Sequence, residues 1–243
     1  IMHTRSYVGQ EPFVVYLGDN LLRDGIQPYV RRFDENRSEA SILLSRVKSP
    51  ERFGVAEVDE QRVVRLEEKP RVPKSDLALV GVYFLTPRIF DVIARLKPSW
   101  RGELEITDAL QTLVSTGRRV EFDVVGGWWA DSGRPEDLIE AAALILDGID
   151  ASIRGRVHES VRVNGRVSVE EGTGIEKGCL LRGPIYIGRN CTIGPETYVG
   201  PHTSIEEGCM IRGGEIENTV VLGGCRIELS REKRIVDSLI GSN

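Results

Sequence analysis

Residues 175–211 read IEKGCL LRGPIY IGRNCT IGPETY VGPHTS IEEGCM I, and the spacing of their aliphatic side chains decides the fold. Ile175, Leu181, Ile187, Ile193, Val199, Ile205 and Ile211 stand six apart, and the beat runs back through Val169, Val163 and Val157. The fourth position after each is mostly small or apolar: Val161, Val167, Thr173, Cys179, Ile185, Cys191, Thr197, Thr203 and Cys209. An α-helix repeats about every 3.6 residues and a half-buried strand about every two, so neither explains the beat. A hexapeptide β-helix does: each hexad supplies a short strand and a corner, and three hexads close a triangular coil. The aliphatic points inward and stacks on its equivalent in the next coil. The reading predicts a left-handed parallel β-helix of about three coils over residues 157–216. That hand is an exception to the usual right-handed crossover. Val163, Ile175, Leu181, Ile187, Ile193, Val199 and Ile205 are expected to be nearly fully buried. The competing reading is an antiparallel β-domain with coincidental spacing.

The four cysteines fit the same pattern. Cys179, Cys191 and Cys209 occupy fourth positions, where an inward thiol acts as a small hydrophobe. With Cys225 they form no C-x-x-C and have no histidine at ligand spacing, which argues against zinc. Composition excludes other classes. The chain is 40% hydrophobic and its net charge of −5 comes from interspersed signs, so neither disorder nor a nucleic-acid partner is indicated. No apolar run approaches the ~18 residues of a membrane span, and nothing at the N-terminus resembles a signal peptide. The expected compartment is the cytoplasm.

Ahead of the β-helix the pattern is α/β. A break near 148–156 ends a helix of residues 135–146 and divides the chain into domains of residues 1–150 and 151–243. Strands are expected at Phe13–Leu17, Ala40–Arg46, Leu79–Leu85 and Val120–Val125, with a hairpin of Val55–Val58 and Val63–Leu66. Helices are expected over 24–36, Pro87–Leu96 and Glu105–Thr116. Alternating strands and helices favour a mostly parallel sheet covered on both faces.

Four short motifs carry chemistry. Leu17-Gly-Asp-Asn20 places Asp19 just past a buried strand, where open α/β sheets bind ligands, although an Asp-Asn turn or cap is the plainer reading of the tetrapeptide alone. Gly127-Trp-Trp-Ala-Asp-Ser-Gly133 places Asp131 after another strand. Two such carboxylates brought together suit Mg²⁺, and Asp131 as the cap of a helix starting near Pro135 is the alternative. In Leu66-Glu-Glu-Lys-Pro70, Lys69 offers a point charge to a phosphate and the two acids before it, Glu67 and Glu68, offer acceptors to sugar hydroxyls, against the plainer reading of a solvated charge run. In Arg101-Gly-Glu-Leu-Glu-Ile-Thr-Asp108, Arg101 is placed to reach a phosphate, while Thr107 and Asp108 read as helix caps.

Together and in order, LGDN, RFGVAEVDE, LEEKP, LVGVYFL, RGELEITDAL and GWWADSGRPEDL closely resemble the sugar-1-phosphate nucleotidylyltransferases. Within them the chain is most similar to the long-form glucose-1-phosphate thymidylyltransferases, which add a left-handed β-helix to a Rossmann-like catalytic domain. The resemblance implies a Mg²⁺-dependent reaction of a sugar 1-phosphate with a nucleoside triphosphate, giving a nucleotide-sugar and pyrophosphate. It implies that Asp19 and Asp131 hold the metal, that Lys69 and Arg101 contact the sugar phosphate, and that Glu68, Gly54 and Gly81 line the sugar. The family opens with a glycine-rich loop of the form GGxGTRLxPxT, which this sequence lacks. The expectation is therefore a fragment, short of most of the nucleotide-binding half and of a C-terminal coil, and inactive as it stands. Phe53 stands where some relatives carry tyrosine.

Other readings stay open. The chain fits a related UDP- or GDP-sugar pyrophosphorylase. It also fits a bifunctional enzyme whose β-helix transfers acyl groups, for which His202 and His158 are the candidate bases, or a paralogue that binds without turnover. The flat faces of a solenoid favour a homo-oligomer.

Overall fold

A computed structural model describes residues 1–60 and 62–241, which form one compact unit of Ile1–Trp129 and a second that begins at Ala130. In the first unit, α1 (Arg5–Val8) leads to strands β1 (Phe13–Tyr16) and β2 (Asn20–Leu22), helix α2 (Gln27–Asn36) and strand β3 (Ala40–Arg46). Strands β4 (Gly54–Asp59), β5 (Arg62–Glu68) and β6 (Leu77–Leu85) follow, then α3 (Arg88–Ile93), α4 (Ile106–Ser115) and β7 (Val120–Val124). A last short strand, β8 (Trp129–Asp131), leads to α5 (Pro135–Leu146).

Six strands form one sheet in the order β1-β6-β3-β7-β5-β4. All nine residues of β6 are buried, which explains its unbroken apolar run. Its alternate side chains serve two cores. Val80, Val82 and Phe84 pack with Leu43 and with Phe33 of α2, while Leu79, Tyr83 and Leu85 pack with Ile42, Leu44, Phe90 of α3 and Leu110 of α4. The sheet is covered on both faces, but it is not mostly parallel. Among the described residues only the β3–β7 pairing is parallel; β1–β6, β3–β6, β4–β5, β4–β6 and β5–β7 are antiparallel. A parallel pair needs a crossover, and the sequence between β4 and β5 is too short to make one.

The second unit contains α5 and a parallel β-helix. One face stacks Arg156–Val157, Gly174–Ile175, Thr192–Ile193, Met210–Arg212 and Arg226–Glu228, five strands deep. The stack therefore continues beyond the three coils over 157–216 that the hexads mark. Ile216, Val221 and Ile227 carry the inward column onward although they fall off the six-residue beat. The shift arises at two corners. Successive strands Thr192–Ile193 and Met210–Arg212 pair eighteen residues apart, but Ile211 pairs with Ile227, sixteen on. One residue is lost between Ile211 and Ile216, where Gly213 and Gly214 both adopt positive φ (69° and 63°), a conformation that a Cβ disfavours. The other is lost between Ile216 and Thr219, where Asn218 turns the corner at φ 45°.

Ile175, Leu181, Ile187, Ile193, Val199 and Ile205 are buried as the hexads require. Val163 is not: it is 43% exposed. Its strand, Arg162–Asn164, ends its ladder and among the described residues pairs only with Leu180–Arg182, so its other side is left uncovered by them. Helix α5 lies against Thr203–Ile205, Glu215–Val221 and Arg234–Ile240.

All four cysteines are reduced and buried. Thr173, Cys191, Cys209 and Cys225 share one inward column, and each donates to a carbonyl of the next coil: Thr173 Oγ1 to Gly188 (2.5 Å), Cys191 Sγ to Glu206 (3.0 Å), Cys209 Sγ to Leu222 (3.2 Å), Cys225 Sγ to Ile240 (3.8 Å). Burial raises the Cys179 and Cys191 thiols and pushes Cys209 up to about 11. A thiol that is both buried and protonated is a poor nucleophile. A disulfide-exchange reagent at pH 8 should therefore label none of the four in the native protein and all four in guanidinium. Rapid native labelling of Cys191 or Cys209 would contradict this packing.

Candidate active site

The first unit gathers a polar cluster where β4, β5, β6 and α4 meet. β4 and β5 pair Gly54 with Glu68. A Cβ at Gly54 would lie 3.0 Å from Thr107 Oγ1 and 3.1 Å from Glu68 Oε2, so a larger residue would crowd both side chains. Thr107, buried in the first turn of α4, donates to Glu68 Oε2 at 2.6 Å rather than capping its helix. Arg101 Nη1 lies 3.6 Å from Glu68 Oε1 and 3.2 Å from Glu105 Oε1, and Arg101 Nη2 lies 3.2 Å from Glu103 Oε2. Lys69 follows Glu68 with φ 42° and donates its backbone N–H to the Phe53 carbonyl at 3.0 Å. Its ammonium makes no ion pair among the described residues.

A second group surrounds the turn after β1. Leu17 N–H donates to Gly81 O (2.8 Å) and Asn20 N–H to Leu17 O (3.1 Å), which places Asp19 in the tight turn ahead of β2. Asn20 is buried. Its Oδ1 accepts from the Gly81 N–H (3.1 Å) and from the Trp129 indole (2.7 Å), and its Nδ2 donates to Asp19 Oδ1 (2.8 Å). A Cβ on Gly81 would strike Asn20 Nδ2 at 2.4 Å, so Gly81 is what admits this buried amide. Trp129 also meets Phe53 edge to face, with centroids 5.3 Å apart.

Tyr83 joins the two groups. Burial first, then the charges of Glu68 and Asp19, hold its phenol well above the ordinary value. The carboxylates of Glu68 and Asp19 thus act on one buried phenol, although they sit in different motifs of the sequence.

The structure thus places Gly54, Glu68 and Arg101 in one cluster, Lys69 beside it, and Gly81 next to the turn that carries Asp19. Asp131 lies in the second unit. Gly133 N–H donates to its Oδ1 at 3.0 Å, and Arg134 rather than Asp131 is the cap residue of α5. The candidate bases of the β-helix are each fixed locally: His202, at φ 56° in a corner, has Nε2 3.1 Å from Asp147 Oδ1, and His158 Nδ1 is 2.9 Å from Ser160 Oγ. Sequence reasoning missed the parts played by Asn20, Tyr83, Thr107 and Trp129. Asn20 and Trp129 stood inside quoted motifs, but nothing local signals a hydrogen bond across 109 residues. A threonine beside an aspartate at a helix start ordinarily caps the helix, which hides the bond of Thr107 to Glu68.

Residues 1–148 match the model of the nucleotidyl transferase domain family. The chain belongs to the nucleotidyl transferase family. A glucose-1-phosphate thymidylyltransferase of Streptomyces antibioticus is 46% identical over 245 aligned residues, covering 100% of this chain and 68% of that protein. A low-salt glycan biosynthesis nucleotidyltransferase of Haloferax volcanii is 45% identical, covering 98% of this chain and 66% of that one. Among solved nucleotidyl transferases, a Bacillus anthracis protein assigned as a glucose-1-phosphate thymidylyltransferase, in complex with a sucrose, superposes with a TM-score of 0.56 at 39% identity, covering 63% of this chain and 61% of that chain. The chain spans about two-thirds of the length of the curated relatives it matches. Among the described residues no helix is long and apolar enough to cross a membrane.

Proposed function

We propose that the protein is a nucleotidylyltransferase that converts a sugar 1-phosphate and a nucleoside triphosphate, glucose 1-phosphate and dTTP in the first instance, into a nucleotide-sugar and pyrophosphate. The observation that carries the reading is the Arg101–Glu68–Thr107 cluster against Gly54: a cation and a partly buried carboxylate side by side, the carboxylate anchored by a buried threonine. In this reading Arg101 and Lys69 bind the sugar phosphate, Glu68 accepts from a sugar hydroxyl, and Gly54 and Gly81 line the sugar. The sugar-phosphate oxygen attacks the α-phosphorus in line and the bond to pyrophosphate breaks, with no covalent protein intermediate. Catalysis is then positioning plus charge neutralisation.

Asp19 and Asp131 are the proposed metal ligands. Two carboxylates are a hard oxygen donor set of the size Mg²⁺ uses when substrate phosphates complete its shell. Among the described residues no three His, Cys, Asp or Glu side chains gather into an all-protein metal cage, which is in keeping with a metal completed by phosphates. Bound there, Mg²⁺ would neutralise charge on the triphosphate. Asn20, held on three sides and donating to Asp19, keeps that carboxylate in place. Self-association through the flat faces of the β-helix belongs to the same proposal.

The test is pyrophosphate release by the whole protein with glucose 1-phosphate, Mg²⁺ and either dTTP or UTP. Turnover with dTTP is expected. Turnover only with UTP would move the assignment to a UDP-sugar pyrophosphorylase, and none with either would reject it.

A further inference from the structure

Arg101 is surrounded by more negative charge than one guanidinium needs. Glu68, Glu103 and Glu105 all lie within 3.6 Å of it, and an ionised carboxylate accepts hydrogen bonds without donating any. The three are not equivalent. The Glu105 side chain is 11% exposed, accepts from Ser99 Oγ at 3.1 Å, and the same hydroxyl accepts the Arg101 backbone N–H at 3.1 Å. Glu68 is anchored by Thr107. Glu103 is 60% exposed and its carboxylate has no partner but Arg101 among the described residues. The loop that presents it is closed by Ser99 N–H to Glu103 O (2.8 Å) and Gly102 N–H to Ser99 O (2.9 Å), so its backbone is fixed while the side chain is free to swing.

Resting on the assignment of Arg101 to the sugar phosphate, we propose that Glu105 is a positioning residue that holds the guanidinium in place, and that Glu103 is an internal stand-in for the substrate phosphate. A phosphate dianion approaching three carboxylates around one cation is repelled unless one of them leaves. Glu103 is the one with nothing else to hold it. Its oxygen occupies the Nη2 donor that a phosphate oxygen would take, so it keeps the fork of Arg101 paired until the sugar 1-phosphate arrives.

The two roles have opposite signs. Glu103→Gln removes a competitor, and an exposed ion pair of this kind is worth roughly a two- to fivefold change in affinity. The KM for glucose 1-phosphate should fall by that factor with kcat little altered. Glu105→Asp keeps the charge but withdraws the carboxylate by one methylene, so a change reports position and not charge. KM should rise about tenfold, as expected for a displaced binding group. In an Arg101→Met background Glu103→Gln should have no effect, since the stand-in would have nothing to occupy. The measurements are steady-state kinetics of the whole protein at saturating dTTP, calorimetric titration with glucose 1-phosphate, and a melting curve for each variant. An unchanged or raised KM in Glu103→Gln overturns the stand-in. An unchanged KM in Glu105→Asp, or a lowered melting temperature with normal KM, assigns Glu105 a structural role only. A wild-type protein that neither binds nor turns over glucose 1-phosphate overturns the functional reading and the inference with it; a wild-type that does, with both variants unchanged, overturns the inference alone.

Discussion

Gly81→Ala should cost the whole protein about 1–3 kcal/mol of stability and about 10²-fold in kcat, although it adds a single methyl group. The residue sits in the middle of the fully buried β6, and the new Cβ would lie 2.4 Å from Asn20 Nδ2, 2.8 Å from Asn20 Cγ and 2.9 Å from Leu17 Cδ1. A flexible surface side chain would swing aside. Asn20 is 5% exposed and held by three hydrogen bonds, so it can move only by breaking them or by pushing β6 away from β1. Either path shifts Asp19, the proposed metal ligand, and loosens Trp129 at once. Chemical denaturation and pyrophosphate release measured on the same preparation check the prediction. Wild-type stability would mean that Asn20 is not locked. Lost stability with normal kcat would remove Asp19 from the chemistry.

In the second unit, Ile193→Ala should destabilise by roughly 2–5 kcal/mol. Ile193 is fully buried, paired with Ile175 on one side and Ile211 on the other. A solenoid coil touches only its neighbours, so the cavity cannot be filled from a distant part of the core. Hydrogen exchange should report the loss first in the amides of the adjoining strands, Gly174–Ile175 and Met210–Arg212, and only weakly in β6. A loss under about 1 kcal/mol, or one spread evenly over both units, would contradict a core built coil by coil.

How much of this was legible differs between the two units for a physical reason. In the β-helix each inward position repeats locally in sequence, so Ile175 to Ile211 announced the fold. The pattern failed where geometry departed from the repeat: at Val163, which has a neighbouring strand on one side only, and at Gly213–Asn218, where two residues drop out of the count. In the first unit the strands were readable from apolar runs, Ala40–Arg46 to the residue, but their directions were not. Period-two burial is the same for parallel and antiparallel neighbours. The short β2 and β8 carry no run long enough to notice. Of the site, Gly54 and Gly81 were recognised by resemblance, and the structure supplies their cause in the two contacts that a Cβ would violate. The ring of carboxylates around Arg101 was visible as letters in RGELE, but which of them is anchored depends on Ser99 and Thr107, which only the folded chain brings to them.

The unequal corners of the β-helix bear on how such a chain can change over generations. Its inward columns tolerate no added or missing residue along a strand, because a one-residue slip turns every side chain to the wrong face. Corners are different. Between Ile211 and Ile216, and again between Ile216 and Thr219, one residue is absent and the column resumes undisturbed, while Ile216 pairs with Ile235 nineteen residues later. Insertions and deletions in related sequences should therefore fall at 213–214, 217–218 and 229–233 and leave the intervening triplets intact. A stretch equal to one full turn can be gained or lost between corners without altering anything inside, which lets a lineage adjust the length of this half of the molecule while the chemistry of the other half is conserved unchanged.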